Sequence, residues 1–550
     1  MTTTVYAARQ ILTLDPAKPV ATHVAVREGR IVAVGDITQM RALGAFEIND
    51  MFADLVLMPG LVEGHCHLKE GDMWRMPYLG WFDRKDPKGK VWRGLRSMSA
   101  VVDRLQAIDT QMHKQGISPE TPLVAWGFDP IYFGSERMTV EHLDRVSTVR
   151  PIVVSHANGH LMNVNTATLR LSGITRETDI DGVVRFPNGE PNGELHEPAA
   201  MFPVVRRIPN AGLLNPMSQE GMGNFAAIAC QHGVTTATDM VNPLGEAECR
   251  LLESTCAAED YGVRLMPAFQ AFHGALRAQE GAEHVKQLMQ RNTDRLRYGM
   301  VKFLLDGSIQ GFTARLREPG YHNGAPNGLW VTAPSQYEAD LQAYHQAGLV
   351  LHTHTNGDEA SEVAIAAAER VQALLPRSGH RHTLQHGQMI DPSQFARLAS
   401  LGMGVNLFAN HVWYWGDQHH DTTMGPARAE RLDACASALR AGVTLAIHSD
   451  APVTPLAPLF TAWCAINRLT PSGRVLGMQE RITVEQALHS ITLGAAWTLG
   501  MEKEIGSLEV GKRADFCVLQ ENPLAIDPIH LKDIPIWGTV LSGRVFQATA

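Results

Sequence analysis

The segment Pro59-Gly60-Leu61-Val62-Glu63-Gly64-His65-Cys66-His67 places two imidazoles two residues apart at the end of an apolar run. On a strand, residues i and i+2 face the same side, so His65 and His67 would point together and could hold one divalent metal. Other residues able to bind a metal stand in later apolar runs: Lys302 in Val301-Lys302-Phe303-Leu304-Leu305-Asp306-Gly307-Ser308, His354 in Leu351-His352-Thr353-His354, His386 closing Thr383-Leu384-Gln385-His386, and Asp450 closing Ile447-His448-Ser449-Asp450. Four histidines, one lysine and one aspartate make an improbable set of core residues, because an unpaired buried charge is costly. A metal held by such a set would activate water and polarise a carbonyl. Parity leaves part of the set open: His352 shares a face with His354, and His382 with His386. His448 likewise shares the inward face with Asp450, either supporting the ligands or limiting the pocket.

Eight β-rich runs could position these groups: 57–67, 233–240, 264–269, 301–307, 349–355, 383–387, 404–410 and 444–450. Helical stretches such as Ser361 to Leu375 and Pro392 to Leu401 lie between most of them, which predicts an α/β fold, a (β/α)8 TIM-like barrel. Barrel active sites form at strand C-terminal ends, where the metal-binding types fall. Both chain ends read as short strands unable to stand alone, so residues 1–56 and 505–550 are expected to build one small β-sandwich domain, with the barrel at 57–504 between them. The distance from the first run to the second requires an insertion over about 70–215. It carries Trp74, Trp81, Phe82, Trp92, Trp126, Phe128, Tyr132 and Phe133, suited to a substrate lid that includes Trp81 or to the core of a subdomain. After the seventh run, Asn410-His411-Val412-Trp413-Tyr414-Trp415-Gly416-Asp417 brings His411 and Trp413 to the expected mouth as a substrate wall.

Composition narrows the function classes. With 550 residues, 45% hydrophobic and 19% charged, the chain can bury a large core and is neither disordered nor a coiled coil. A net charge of −9 and no long basic run argue against nucleic acid or a membrane as partner, leaving a small-molecule substrate. The seven cysteines are scattered without a CxxC pair, and the N-terminus lacks a basic-then-apolar pattern, so a cytoplasmic protein is expected, with a homodimer as the default assembly.

With these motifs the chain resembles the amidohydrolase superfamily of metal-dependent hydrolases, and within it the amidohydrolase family 3 branch that includes N-substituted formamide deformylase and exoenzyme regulatory proteins. The resemblance runs from Met58-Pro59-Gly60-Leu61-Val62-Glu63-Gly64-His65-Cys66-His67 to Gly506-Ser507-Leu508-Glu509-Val510-Gly511-Lys512-Arg513-Ala514-Asp515-Phe516. Marks of the branch are Asp306-Gly307-Ser308, His354-Thr355-Asn356-Gly357-Asp358, Arg381-His382 and Ser449-Asp450-Ala451-Pro452-Val453. It implies His65, His67, His354, His386 and Asp450 as metal ligands, and a carboxylated Lys302 bridging two ions, most simply zinc. With one ion, Lys302 would remain an ammonium that orients substrate or pairs with Asp306. The reaction implied is hydrolysis of an amide-type C–N bond, Asp450 passing a proton from water to the leaving nitrogen, with His160 and Glu197 of the insertion reaching the substrate. A mononuclear deaminase, an ester or lactone hydrolase and a non-catalytic regulatory protein on the same fold are the alternatives. The sequence departs from the family pattern at Gly387, where alanine is common, and at His448, where glycine usually stands.

Overall fold

The computed structural model describes residues 2–134, 136–208, 211, 217–272 and 276–548; the expected end of the insertion, 212–215, lies outside the described residues. Eight parallel strands lie side by side in chain order: β1 (Leu61–Glu63), β2 (Val234–Asn242), β3 (Arg264–Gln270), β4 (Met300–Leu304), β5 (Val350–Thr355), β6 (Thr383–His386), β7 (Gly404–Leu407) and β8 (Thr444–Ile447). Most are buried along their whole length, as parallel strands covered on both faces must be. The curled sheet is drawn together at its two edges by short bonds beyond the strands. Asp450 N–H donates to the His65 carbonyl at 3.2 Å, and His67 N–H donates to the Ala451 carbonyl at 2.7 Å. Helices pack outside through apolar stripes; Asp358–Leu374 buries Ala360, Ala364, Ile365, Ala368 and Val371 in the core that also holds Leu351 and Leu384.

The first expected run, 57–67, proves to be two elements. Residues Glu47–Pro59 form a strand of the terminal sheet, paired in parallel with Thr4–Leu12 and antiparallel with Phe516–Leu519. The chain breaks at Gly60, where a Cβ would sit 2.1 Å from Thr235 Oγ1, and only Leu61–Glu63 enters the barrel. His65 and His67 therefore stand beyond a strand end, as do Asp306 and Asp450.

Seven strands from both ends of the chain make a single sheet, ordered Arg544–Gln547, Ile536–Leu541, Phe516–Leu519, Glu47–Pro59, Thr4–Leu12, Val20–Arg27, Arg30–Gly35. The sheet folds over its own core of Tyr6, Val26, Phe52, Phe516 and Val540, and Tyr6 Oη–H donates to the Gly543 carbonyl at 2.9 Å. Between β1 and β2 a five-stranded sheet carries, in order, Val183–Arg185, Pro191–His196, Leu161–Val164, Ile152–His156 and Leu123–Phe128. Helix Met98–Lys114, capped by Ser97, packs Val101 and Leu105 against it. Helix Glu197–Val205 follows this sheet and supplies residues to the cleft over the barrel. No helix among the described residues is long and apolar enough to cross a membrane.

Candidate active site

A cleft of about 760 Å³, including its open mouth, lies at the C-terminal ends of the barrel strands. His65, His67, Lys302, His354, His386 and Asp450 form its polar floor. Asp450 is the hub: its Oδ1 lies 3.2 Å from both His65 Nε2 and His67 Nε2, and its Oδ2 lies 3.7 Å from His386 Nδ1. Lys302, 2% exposed, brings Nζ to 3.4 Å from His65 Nε2. His354 packs on His386 with ring centroids 4.4 Å apart.

A layer beneath fixes the ring orientations. Gln385 Oε1 accepts from His65 Nδ1 at 2.7 Å and from Asn406 Nδ2 at 3.0 Å, while its amide lies 2.7 Å from His352 Nδ1. An amide oxygen can only accept, so the His65 proton is on Nδ1 and the Nε2 lone pair faces Asp450. The Gly307 carbonyl, 3.1 Å from His354 Nε2, does the same for His354 and leaves Nδ1 bare. Asp306 accepts backbone N–H bonds from Arg315, Asn356 and Gly357 at 2.9–3.0 Å, tying the loop after β4 to that after β5. It makes no ion pair with Lys302 among the described residues. Glu63 joins β1 to the end of β8, accepting Ser449 N–H at 3.2 Å and Ser449 Oγ–H at 2.8 Å.

The electrostatics suit cation binding. Burial, then the charge of Lys302, pulls the His65 pKa to about 4; burial and neighbouring imidazoles take His354 and His386 well below the ordinary value. Neutral imidazole is the ligating form. Burial alone would raise Asp450, but His65, His67 and His386 hold its carboxyl well below the usual carboxylate range. Burial brings Lys302 down to about 7 against the raising effect of Asp450. A cation with tetrahedral bonds of about 2.1 Å needs donors about 3.4 Å apart, and the 3.2 Å spacings at Asp450 Oδ1 fit. Asp450 Oδ1, the atom these spacings share, is buried without a hydrogen-bond partner among the described residues. Two of these groups are strained: His386 (φ 68°) and Asp450 (φ 51°) occupy the left-handed region. Strain of that kind gathers where geometry is held for function.

His160 lines the cleft and is clamped by Glu197, which stands behind it. The His160 Nδ1 lies 2.8 Å from Glu197 Oε2, and Glu197 N–H donates to the His160 carbonyl at 2.7 Å, with Glu197 at φ 63°. Burial lowers the His160 pKa, but Glu197, Asp450 and Asp306 outweigh it and raise it. The other expected substrate residues lie elsewhere. Trp413 packs on Phe460 and Trp463 outside the barrel, and His411 is buried with Nδ1 at 3.2 Å from Asp433. Trp81 stacks on Tyr132 in a separate, smaller cavity, which shares Val453 with the cleft. The apolar wall of the cleft is instead Met201, Phe202, Val205, Val241, Phe272 and Leu304.

A model of the amidohydrolase family matches residues 53–547, spanning the barrel, the C-terminal strands of the terminal sheet and every group of the floor. The chain belongs to the amidohydrolase family. This amidohydrolase-family chain is 25% identical over 539 residues to YtcJ of Bacillus subtilis (strain 168), covering 94% of each chain. It is 24% identical over 552 residues to N-substituted formamide deformylase of Arthrobacter pascens, covering 97% of this chain and 96% of the relative. Its fold matches that of an uncharacterized metal-dependent hydrolase from Pyrococcus horikoshii, with a TM-score of 0.70 at 20% identity over 96% of this chain and 99% of that one.

Proposed function

We propose that the chain is a metal-dependent hydrolase that cleaves an amide-type C–N bond of a small organic molecule. The observation that carries this is Asp450, an ionised carboxylate with Oδ1 3.2 Å from two imidazole Nε2 atoms, one of them with its tautomer fixed by Gln385. A bound divalent cation, zinc by donor type, supplies a Lewis acid that polarises a carbonyl and makes water more acidic. His65, His67, His354, His386 and Asp450 would hold it. Asp450 accepts the proton of the attacking water and returns it to the leaving nitrogen, both transfers lying within reach of one carboxylate. The His160 Nδ1 is committed to Glu197, so its Nε2 remains to contact substrate. The wall formed by Met201, Val205 and Phe272 shelters an apolar acyl or amine substituent and excludes water beside it. A Lys302 pKa near 7 keeps part of the amine neutral, the form that carbon dioxide can carboxylate to an anionic oxygen donor.

The name of the Arthrobacter pascens relative supports the choice of C–N bond, and N-formyl amines are the first substrates to test. The experiment is elemental analysis of wild type beside the His65→Ala/His67→Ala double variant, with turnover of N-formyl and N-acyl amines by wild type and Asp450→Asn. Metal lost in the double variant, and turnover lost in Asp450→Asn with the fold kept, are expected. A wild type that stays metal-free after incubation with zinc, or a fully active Asp450→Asn, overturns the reading.

A further inference from the structure

His448 is the buried group at this site that the reaction above does not use. It is 1% exposed, and neither ring nitrogen has a hydrogen-bond partner among the described residues. A buried polar atom left so is destabilising, and such atoms normally have a protein, water or ion partner. An apolar ring would fill the position without that cost, as Phe408 does beside it, stacked on His448 at 4.9 Å and 21°. The opposite neighbours of His448 are ligand candidates: His65, stacked at 4.6 Å and 19°, and His386, edge-on at 5.0 Å and 65°. One nitrogen from each of His65, His386 and His448 lies within 4.8 Å of the other two. The same holds for His65, His67 and Asp450, so the two three-donor sets share His65. Because His65 Nδ1 is committed to Gln385, its single free nitrogen can serve only one cation.

We infer that His448 is itself a metal ligand, giving the cation bound by His65 an all-imidazole seat with His386 and His448 next to the seat formed with His67 and Asp450. The inference rests on the metal centre proposed above. A cation in this seat draws the rings toward the spacing of about 3.4 Å that tetrahedral bonds require, and it gives one of the two orphaned nitrogens of His448 a partner. Three neutral imidazoles favour zinc, cobalt, nickel or copper over magnesium, calcium or manganese, which prefer oxygen.

The test compares full-length wild type, His448→Phe and His448→Gln, each stripped and reloaded with zinc or cobalt(II). Dissociation constants come from chelator competition, coordination from the visible cobalt(II) spectrum, and integrity from thermal unfolding with and without metal. The phenylalanine variant is expected to bind zinc about tenfold or more weakly, to alter the cobalt bands, and to gain less Tm from added metal than wild type. A wild-type dissociation constant and cobalt spectrum in either folded variant overturns the role of His448 while leaving the metal centre standing. Wild type that binds neither metal overturns the centre, and this inference with it. The glutamine variant keeps the test open if the phenylalanine variant does not fold.

Discussion

Glu63→Gln is expected to stabilise the metal-stripped protein, and increasingly so as pH rises. The carboxyl of Glu63 is buried at the seam between β1 and the end of β8. Burial raises its pKa from 4.5 to about 8, even though hydrogen bonds from Ser449 and His65 oppose the shift. In the unfolded chain the same group titrates near 4.5. Between these values the folded chain holds a proton that the unfolded chain has released. The stability this proton contributes is complete below pH 4.5 and is lost as pH climbs toward 8, at about 1.4 kcal/mol per unit. By pH 7 the loss amounts to about 3 kcal/mol, and near pH 5 to less than about 1 kcal/mol. Glutamine has almost the same shape, accepts the Ser449 N–H through its carbonyl, donates from its amide to Ser449 Oγ and needs no proton. Urea unfolding of both proteins in chelator, at intervals from about pH 5 to pH 8, reads the difference directly. Shifts of other buried acids such as Asp306, raised to about 7 by burial, cancel in that difference. A gap independent of pH, or a variant less stable than wild type at pH 7, would refute the argument.

Gln385→Leu leaves the donors of His65 and Asn406 without their shared acceptor, and metal affinity is expected to fall about 10- to 100-fold in chelator competition. Gly357→Ala would place a Cβ 1.7 Å from the Arg315 carbonyl oxygen and disturb the loop that Asp306 holds; a loss of about 1–3 kcal/mol is expected in thermal unfolding. Met201→Ala removes part of the apolar wall, so KM for N-acyl substrates with an apolar substituent should rise about tenfold with kcat little changed. An unchanged KM for such substrates would place their apolar group elsewhere.

The barrel was legible because strands buried on both faces read as short apolar runs, and because the polar residues that end them cannot be core. The runs point to His65, His67, Lys302 and Asp450, while the choice of His354 over His352 and of His386 over His382 rests on the family resemblance. The same runs could not place the break at Gly60, since apolar residues continue from Val56 to Val62 across two different sheets and only the tertiary approach of Thr235 marks the boundary. Gln385 passed unnoticed because a buried glutamine declares its role only through its partners, here His65, His352 and Asn406. Trp413 and His411 follow a barrel strand as a mouth-lining segment should, yet the helix Asn410–Gln418 turns them into packing contacts away from the cleft. Nothing in the pattern of an aromatic residue distinguishes those two sides. Half of the actual wall, Met201, Phe202 and Val205, comes from Glu197–Val205, a segment apolar on almost every face, which offers no periodicity to say what it covers.

The sheet shared by both chain ends has a consequence for biogenesis. Strand Glu47–Pro59 cannot complete its pairing until Phe516–Leu519 exists, roughly 450 residues later in translation. At 5–20 residues per second, that interval is on the order of 20 to 90 s. Throughout it, one side of a strand containing Val56, Leu57 and Met58 is an open edge, a template for pairing with other nascent chains. The stretch leading directly into His65 and His67 is therefore made long before it is secured, and the yield of the protein in a cell should depend on holdase chaperones more than the stability of the finished barrel would suggest.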